Sequence, residues 1–307
     1  VYYEDGTKDS STFLVDKTLD TFYLPFSNSK ISYVLFDPNS EVLKSVGFDK
    51  ELKWNLNQAI KAEFMIDRFD ALVALRSTSI KKKEKTLHTV LARTQYHRVR
   101  VEAMKQLLKE EKLTNDEIKI IINSNDPGLQ KAFLQNSGNF DEELKEEYEK
   151  LLCANSYEVI ELALVRLCSS FREDIPAYLD QTYQVYGVRG NNVRIQWLEI
   201  KYLTTESYQA VAELIDMTSN SYEFITRLKA ISTLKRLNYC DDKLVKNLSL
   251  GVQKANWKLA GASGNLLKHF YNEADYKEVV SSTVKSMNLS EEERKRVDRF
   301  LVEFEKK

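Results

Sequence analysis

Proline and glycine are scarce here, 4 and 9 residues among 307. That scarcity excludes collagen-like, linker-like and turn-rich chains and suits long helices. Cysteine is scarce too: Cys153, Cys168 and Cys240 are odd in number and far apart, with no C-x-x-C pair, so neither a disulfide framework nor a zinc ribbon is encoded. Cys153 and Cys168 fall in apolar helical stretches, where a small buried thiol is expected, and the cysteines leave the compartment, cytoplasmic or exported, open. Histidine occurs only at His88, His97 and His269. None has a second residue at ligand or triad spacing and H-E-x-x-H is absent, so surface or hydrogen-bonded helix histidines are expected and no cofactor is assigned to this chain.

Other absences narrow the function classes. No glycine-rich phosphate loop and no G-x-S-x-G nucleophile elbow occurs. No apolar run approaches the roughly 20 residues that span a bilayer. The start, Val1 to Asp5, has no signal-peptide pattern, so a soluble chain is expected. Acids and bases nearly balance at a net charge of -1, which leaves no field to hold nucleic acid. Lys81, Lys82, Lys83 and Lys85, interrupted by Glu84, read as a solvated helix edge. Glu142, Glu143, Glu146 and Glu147 read as exposed helix carboxylates rather than acid–base machinery.

What is present falls into two parts. Within residues 1–48, Phe13 and Val15, then Phe22, Leu24 and Phe26, then Val34 and Phe36 alternate with their neighbours at the period of strands. Turn groups at Asp16-Lys17, Ser27-Asn28-Ser29 and Asp37-Pro38-Asn39-Ser40 separate them. Three or four short antiparallel strands are expected, either the end of a β-sandwich begun upstream or a small sheet packed on helices. The abrupt start, without an initiator Met, suggests a piece of a longer protein.

Residues 49–307 read as successive amphipathic helices. Capping boxes are expected at Thr114 with Glu117, Asn139 with Glu142, and Ser290 with Glu293, where a side chain accepts from an orphan N–H and a Glu reaches back. A small residue four positions ahead of a Leu recurs at Ala71, Ala103, Ala163 and Ala230, with weaker copies centred on Ala132, Trp197 and Ala262. The spacing of about 29 to 34 residues is that of helix-pair repeats. Arg68, Arg100 and Arg227 stand three positions ahead of clear copies. A second helical stretch follows each centre, for example over 80–92, 141–152, 174–186 and 207–217. The prediction is therefore a mainly α chain, an α-α superhelix of HEAT or armadillo type with a short N-terminal antiparallel β segment. It comprises about seven helix pairs and a capping helix from Ser290 to about Phe304, with Leu301 and Phe304 on its inner side. The diagnostic Trp, Gly and Tyr positions of tetratricopeptide repeats are absent.

Tyr157, Tyr178, Tyr183, Tyr186, Tyr202, Tyr208 and Tyr222 are expected mainly to fill the seams between repeats. The small-residue cluster Gly261-Ala262-Ser263-Gly264 is read as a close helix contact. If a substrate groove exists, Arg100, Arg194 and Arg227 are its candidate residues; no catalytic or metal-ligating residue is assigned.

The segments Tyr33-Val34-Leu35-Phe36-Asp37-Pro38-Asn39-Ser40-Glu41-Val42-Leu43-Lys44 and Met65-Ile66-Asp67-Arg68-Phe69-Asp70-Ala71-Leu72-Val73-Ala74-Leu75 carry a resemblance. They look like the closing strands of the β-sandwich and the first solenoid helices of the zinc aminopeptidase family that includes aminopeptidase N. The resemblance implies an upstream catalytic domain of the same polypeptide holding zinc, with peptide substrates. It also implies that this chain encloses the catalytic chamber rather than performing the chemistry, and that Asp67 and Arg68 cap a helix or pair between helices. The family's H-E-x-x-H and G-x-M-E-N motifs have no counterpart here. The competing expectation is a free-standing HEAT-like scaffold that binds a protein on its concave face.

Overall fold

A computed structural model describes the chain apart from residues 15, 17, 24–28, 94, 95, 189 and 302–307. Val15, Lys17, Leu24, Phe26, Ser27, Asn28 and Phe304, used above, lie outside the described residues. The chain is mainly helical with a short two-stranded sheet, and it divides into two compact units, 1–138 and 139–307.

The first unit opens on β1 (Tyr2–Tyr3) and β2 (Ile31–Tyr33), antiparallel with Tyr2 opposite Tyr33 and Tyr3 opposite Ile31. The Tyr2 and Tyr33 rings stack with centroids 4.4 Å apart. Six helices follow: α1 (Leu52–Lys61), α2 (Met65–Ala74), α3 (Ile80–Arg93), α4 (His97–Lys109), α5 (Asn115–Ile122) and α6 (Pro127–Asn136). The sheet is the small kind that leans on helices, β2 packing on α1. The expected strand count is not reached among the described residues. Phe13 and Phe22 are irregular and stack on each other at 4.4 Å while 40% and 41% exposed. Among the described residues their alternation has no neighbouring strand to pair with, and a lone strand is not stable. The Asp37 to Ser40 turn is present. Asp37, Asn39 and Ser40 hold φ of 51°, 66° and 51°, the left-handed region that Asp and Asn tolerate best among non-glycine residues.

The second unit contains α7 (Lys145–Glu149), α8 (Tyr157–Ser170), α9 (Ile175–Gln181), α10 (Asn192–Thr205), α11 (Tyr208–Asp216), α12 (Phe224–Leu237), α13 (Asp242–Val252), α14 (Trp257–Asn272), α15 (Lys277–Ser286) and α16 (Glu291–Leu301). Helices α8, α10, α12, α14 and α16 each pack on the next as one layer, and α11, α13 and α15 do so as a second. In the first unit α2, α4 and α6 form the corresponding row, with α1 against α3 beside it. This alternation of layers is solenoid-like packing within each unit.

The repeat centres occupy the positions the spacing requires. Ala71, Ala103, Ala163 and Ala230, with Leu75, Leu107, Leu167 and Leu234, are all at most 1% exposed. The alanines sit in α2, α4, α8 and α12, where the missing side-chain bulk lets neighbouring helices approach. The copy in α14 is shifted by one residue: Ala262 is half-buried, whereas Ser263 and Leu267 are fully buried.

Two capping boxes form as expected. Glu117 N–H donates to Thr114 Oγ1 (3.3 Å) while Thr114 N–H donates to Glu117 Oε2 (3.0 Å). Glu293 and Ser290 repeat the exchange at 3.3 and 2.9 Å. The third differs. Asp141, not Asn139, is the cap, accepting from Glu143 N–H at 3.1 Å and opening a tight 3-10 turn, Glu142–Leu144, ahead of α7. A carboxylate already at the start of the turn accepts the orphan donor more strongly than an amide two residues earlier.

Candidate functional site

The arginines that precede the repeat centres do one local job. The last carbonyls of a helix have no partner inside it, and a cation there also suits the negative end of its dipole. Arg68, on α2, donates Nε to Ala62 O at 2.6 Å, just past α1. Arg100, on α4, reaches Leu91 O of α3 at 3.3 Å. Arg227, on α12, reaches Thr218 O at 2.9 Å, just past α11. Arg294 of α16 closes α15 through Val284 O and Met287 O at 3.4 and 3.1 Å. In α6 the same service comes from Gln130, whose amide donates to Ile122 O and Ser124 O at 2.7 and 2.8 Å.

Arg194 differs in detail. Its fork is bidentate on Glu213 at 2.8 and 2.7 Å, with a longer contact to Tyr183 O, and its guanidinium lies 4.4 Å from the centre of the Trp197 ring. The indole N–H of Trp197 itself takes Leu179 O, near the end of α9, at 2.6 Å. The three groove candidates are thus placed on three separate helices. Arg194 and Arg227 are buried, and each has donors committed to its own neighbourhood.

Around Trp197 the second unit has a cleft of about 590 Å³ between α9 and the second half of α10. Its floor is Ile175, Pro176, Leu179 and Trp197; its rim mixes Arg172 and Lys201 with Glu173 and Asp180. Such a surface can hold an apolar side chain under a polar rim, and it offers no nucleophile paired with a base. Among the expected seam tyrosines, Tyr178 is buried with its hydroxyl on Glu149 Oε1 at 2.9 Å, and burial pushes that phenol up. Tyr157, Tyr183, Tyr186 and Tyr208 are exposed instead.

A second cleft, about 540 Å³, lies in the first unit where the lead-in segment meets α1 and α2. Asn39 donates its backbone N–H to Asp67 Oδ2 (3.3 Å), Gln58 Nε2 donates to Asp67 O (2.7 Å), and Lys50 Nζ donates to Gln58 Oε1 (2.7 Å). Lys44 pairs with Asp37. Burial raises the Asp67 carboxyl above its ordinary range against the opposing hydrogen bond from Asn39, and burial lowers the Lys50 ammonium. The expected capping or ion-pair role of Asp67 and Arg68 is corrected accordingly: Asp67 ties the preceding turn to α2, and Arg68 closes α1 through a carbonyl. Phe36, Val42, Leu43, Val46 and Phe48 around this cleft are all exposed, Leu43 completely. Of these residues only Phe36 belonged to the strand-period reading, and Val42 and Leu43 lay in the segment that carries the family resemblance; the bareness of the string was not legible.

The remaining titratable groups are local. His88 Nδ1 meets Glu117 Oε1 at 2.7 Å and His269 Nε2 meets Asn238 Oδ1 at 3.3 Å. Cys168 and Cys240 are buried as small core residues, which pushes both thiols up to about 12. Cys153 is exposed, because the chain beyond α7 turns it outward at the end of a 3-10 turn. Among the described residues no group of three His, Cys, Asp or Glu could hold a metal ion, and no described helix is long and apolar enough to cross a membrane.

No protein-family model matches this sequence, and no curated protein matches it.

Proposed function

We propose that the chain is the non-catalytic C-terminal helical region of a zinc metallo-aminopeptidase of the aminopeptidase N type, enclosing the catalytic chamber and orienting peptides within it. The observation that carries this reading is the junction at Asp67. The two segments that resemble the family are separated by twenty residues of chain, yet they meet as one packed unit through the Asn39 to Asp67 hydrogen bond and the contact of the Pro38–Ser40 turn with α2. The bare apolar string from Phe36 to Phe48 supports it further, since apolar residues left uncovered beside the small sheet suit a surface on which an upstream β domain rests. A wall of stacked helix pairs would act on catalysis through orientation and exclusion of water, with the zinc and its base supplied upstream.

The alternative, a free-standing scaffold binding a protein partner, draws on the cleft beside Trp197, where an aromatic floor and a charged rim fit an anchoring side chain. The coding sequence upstream of Val1 separates the two. An H-E-x-x-H motif with a G-x-M-E-N-like segment is expected within several hundred residues; an initiator Met immediately before Val1 overturns the first reading. In solution, the 307-residue chain is expected to release no amine from an aminoacyl substrate and to retain no zinc after dialysis.

A further inference from the structure

The clefts of this chain differ in charge. Those beside Trp197 and Asp67 are each lined by two cations and two carboxylates, so neither favours an ion of one sign. Another, of about 660 Å³, lies in the second unit where the end of α14 meets α15 and α16, and it is lined by Lys277, Lys285 and Arg294 against Asp298 alone. Its size is that of a small-molecule site. Tyr271, Val284 and Leu301 supply its apolar lining.

The helix period gathers the cations. Lys277, Ser281 and Lys285 stand at i, i+4 and i+8 and share one face of α15, about 12 Å from first to last. Ser281 is small and its hydroxyl donates to Lys277 O at 2.8 Å, which leaves the space between the lysines open. Their four-carbon stems let both ammoniums swing to one group placed there. Lys277 Nζ sits 5.2 Å from the centre of the Tyr271 ring. Arg294, on α16, has its Nη groups on Val284 O and Met287 O at 3.4 and 3.1 Å, which makes it a fixed charge rather than a free fork. Elsewhere on α16 charge is neutralised locally, since Lys295 pairs with Glu291 and Arg296 with Glu292, each at 2.7 Å. Lys277, Lys285 and Arg294 have no ion-pair partner among the described residues, and Asp298, one turn on from Arg294, forms no such pair with it. Like charges gathered on one concave surface repel, and an anion relieves that repulsion.

We propose that this cleft binds a phosphate monoester carrying a flat aromatic group, the chemistry of a nucleoside monophosphate. Three cations less one carboxylate leave two positive charges, the complement of a phosphate close to its dianion at neutral pH. Lys277 and Lys285 hold the phosphate as mobile point charges, Arg294 adds its fixed charge, and the aromatic group rests on Tyr271 and Leu301. The inference goes beyond the proposed function and does not depend on it.

The test is calorimetric titration of the full chain with adenosine 5′-monophosphate, inorganic phosphate and adenosine at equal ionic strength, which holds screening constant. The monophosphate binds saturably, phosphate binds about tenfold more weakly because it lacks a ring to stack, and adenosine gives no saturable heat. Lys277→Gln and Lys285→Gln change exposed side chains and fold; each weakens both the monophosphate and phosphate by about tenfold. Tyr271→Leu brings the monophosphate down to the affinity of phosphate and leaves phosphate itself unchanged. Lys295→Gln, which removes the same charge from α16 outside the cleft, changes neither. No saturable binding of the monophosphate, a loss in Lys295→Gln equal to that in Lys285→Gln, or phosphate bound as tightly as the monophosphate overturns the proposal.

Discussion

Asn39 and Asp67 meet across 3.3 Å, backbone N–H to carboxylate, and that contact fastens the lead-in turn to the second helix. The carboxylate is nearly removed from water, 5% exposed, and burial raises its pKa, so ionising it costs the folded state. A raised folded-state value means the folded protein holds its proton longer than the unfolded chain. The contribution of Asp67 is therefore fully present below the unfolded value of about 3.9 and is lost as pH rises through the folded one. Asp67→Asn keeps an acceptor for Asn39 and removes the titration. At neutral pH the variant is expected to be at least as stable as the parent, and the fall in stability on leaving acid pH should shrink. Urea midpoints measured from pH 3 to 7 check this; an unchanged pH profile counts against it.

Arg68 tests the closing of helix ends by arginine. Its Nε lies 2.6 Å from Ala62 O, and hydrogen bonds from charged donors contribute about 1.5–3 kcal/mol where buried. Arg68 is only half-buried, so Arg68→Met, which keeps the stem and removes the donors, is expected to cost about 1–2 kcal/mol in urea denaturation. Hydrogen exchange should show the loss in α1 before α4. Equal stability of parent and variant would mean that water replaces the guanidinium freely.

The thiols divide by burial. Cys168 and Cys240 are buried with thiols pushed up to about 12, so at pH 8 almost no thiolate is present or reachable. Cys153 is exposed. A native chain treated with an aromatic disulfide reagent is expected to release one equivalent quickly and the other two only on unfolding. Prompt release of three equivalents would contradict the packing of α8 and of the turn after α12.

Much of the helical array is legible because its signal is steric and periodic. Ala71, Ala103, Ala163 and Ala230 mark close approaches that only a small residue permits, and each of those positions is buried. The arginines three positions ahead were legible as a pattern but not as a function. Their acceptors are main-chain carbonyls at or just past the end of the preceding helix, which have no side-chain signature and depend on the angle of the connecting turn. The strand reading overreached at Phe13 and Phe22, since alternation records which side chains are apolar and not whether a partner strand exists to pair with them. Cys153 was misplaced for a similar reason: an apolar neighbourhood does not reveal that a 3-10 turn ends at that residue and faces it to solvent. At α14 the centre falls on Ser263 instead of Ala262, because Gly251 and Gly264 accept neighbours that a Cβ would repel.

Gly264 gives the sharpest test of that last point. A glycine inside a helix ordinarily weakens it by about 0.5–1 kcal/mol relative to alanine, so Gly→Ala at a free position stabilises. At Gly264 a Cβ would run into the ring of Phe300 from α16. Gly264→Ala is therefore expected to destabilise, by about 1–3 kcal/mol from overpacking less the propensity gain. With Phe300→Ala in the background the obstruction is gone, and the same substitution should stabilise by about 0.5–1 kcal/mol. A change of sign between the two backgrounds is the double-mutant signature of direct contact. If Gly264→Ala stabilises in both, the α14 to α16 packing is not as described; if it destabilises equally in both, the obstruction comes from some neighbour other than Phe300.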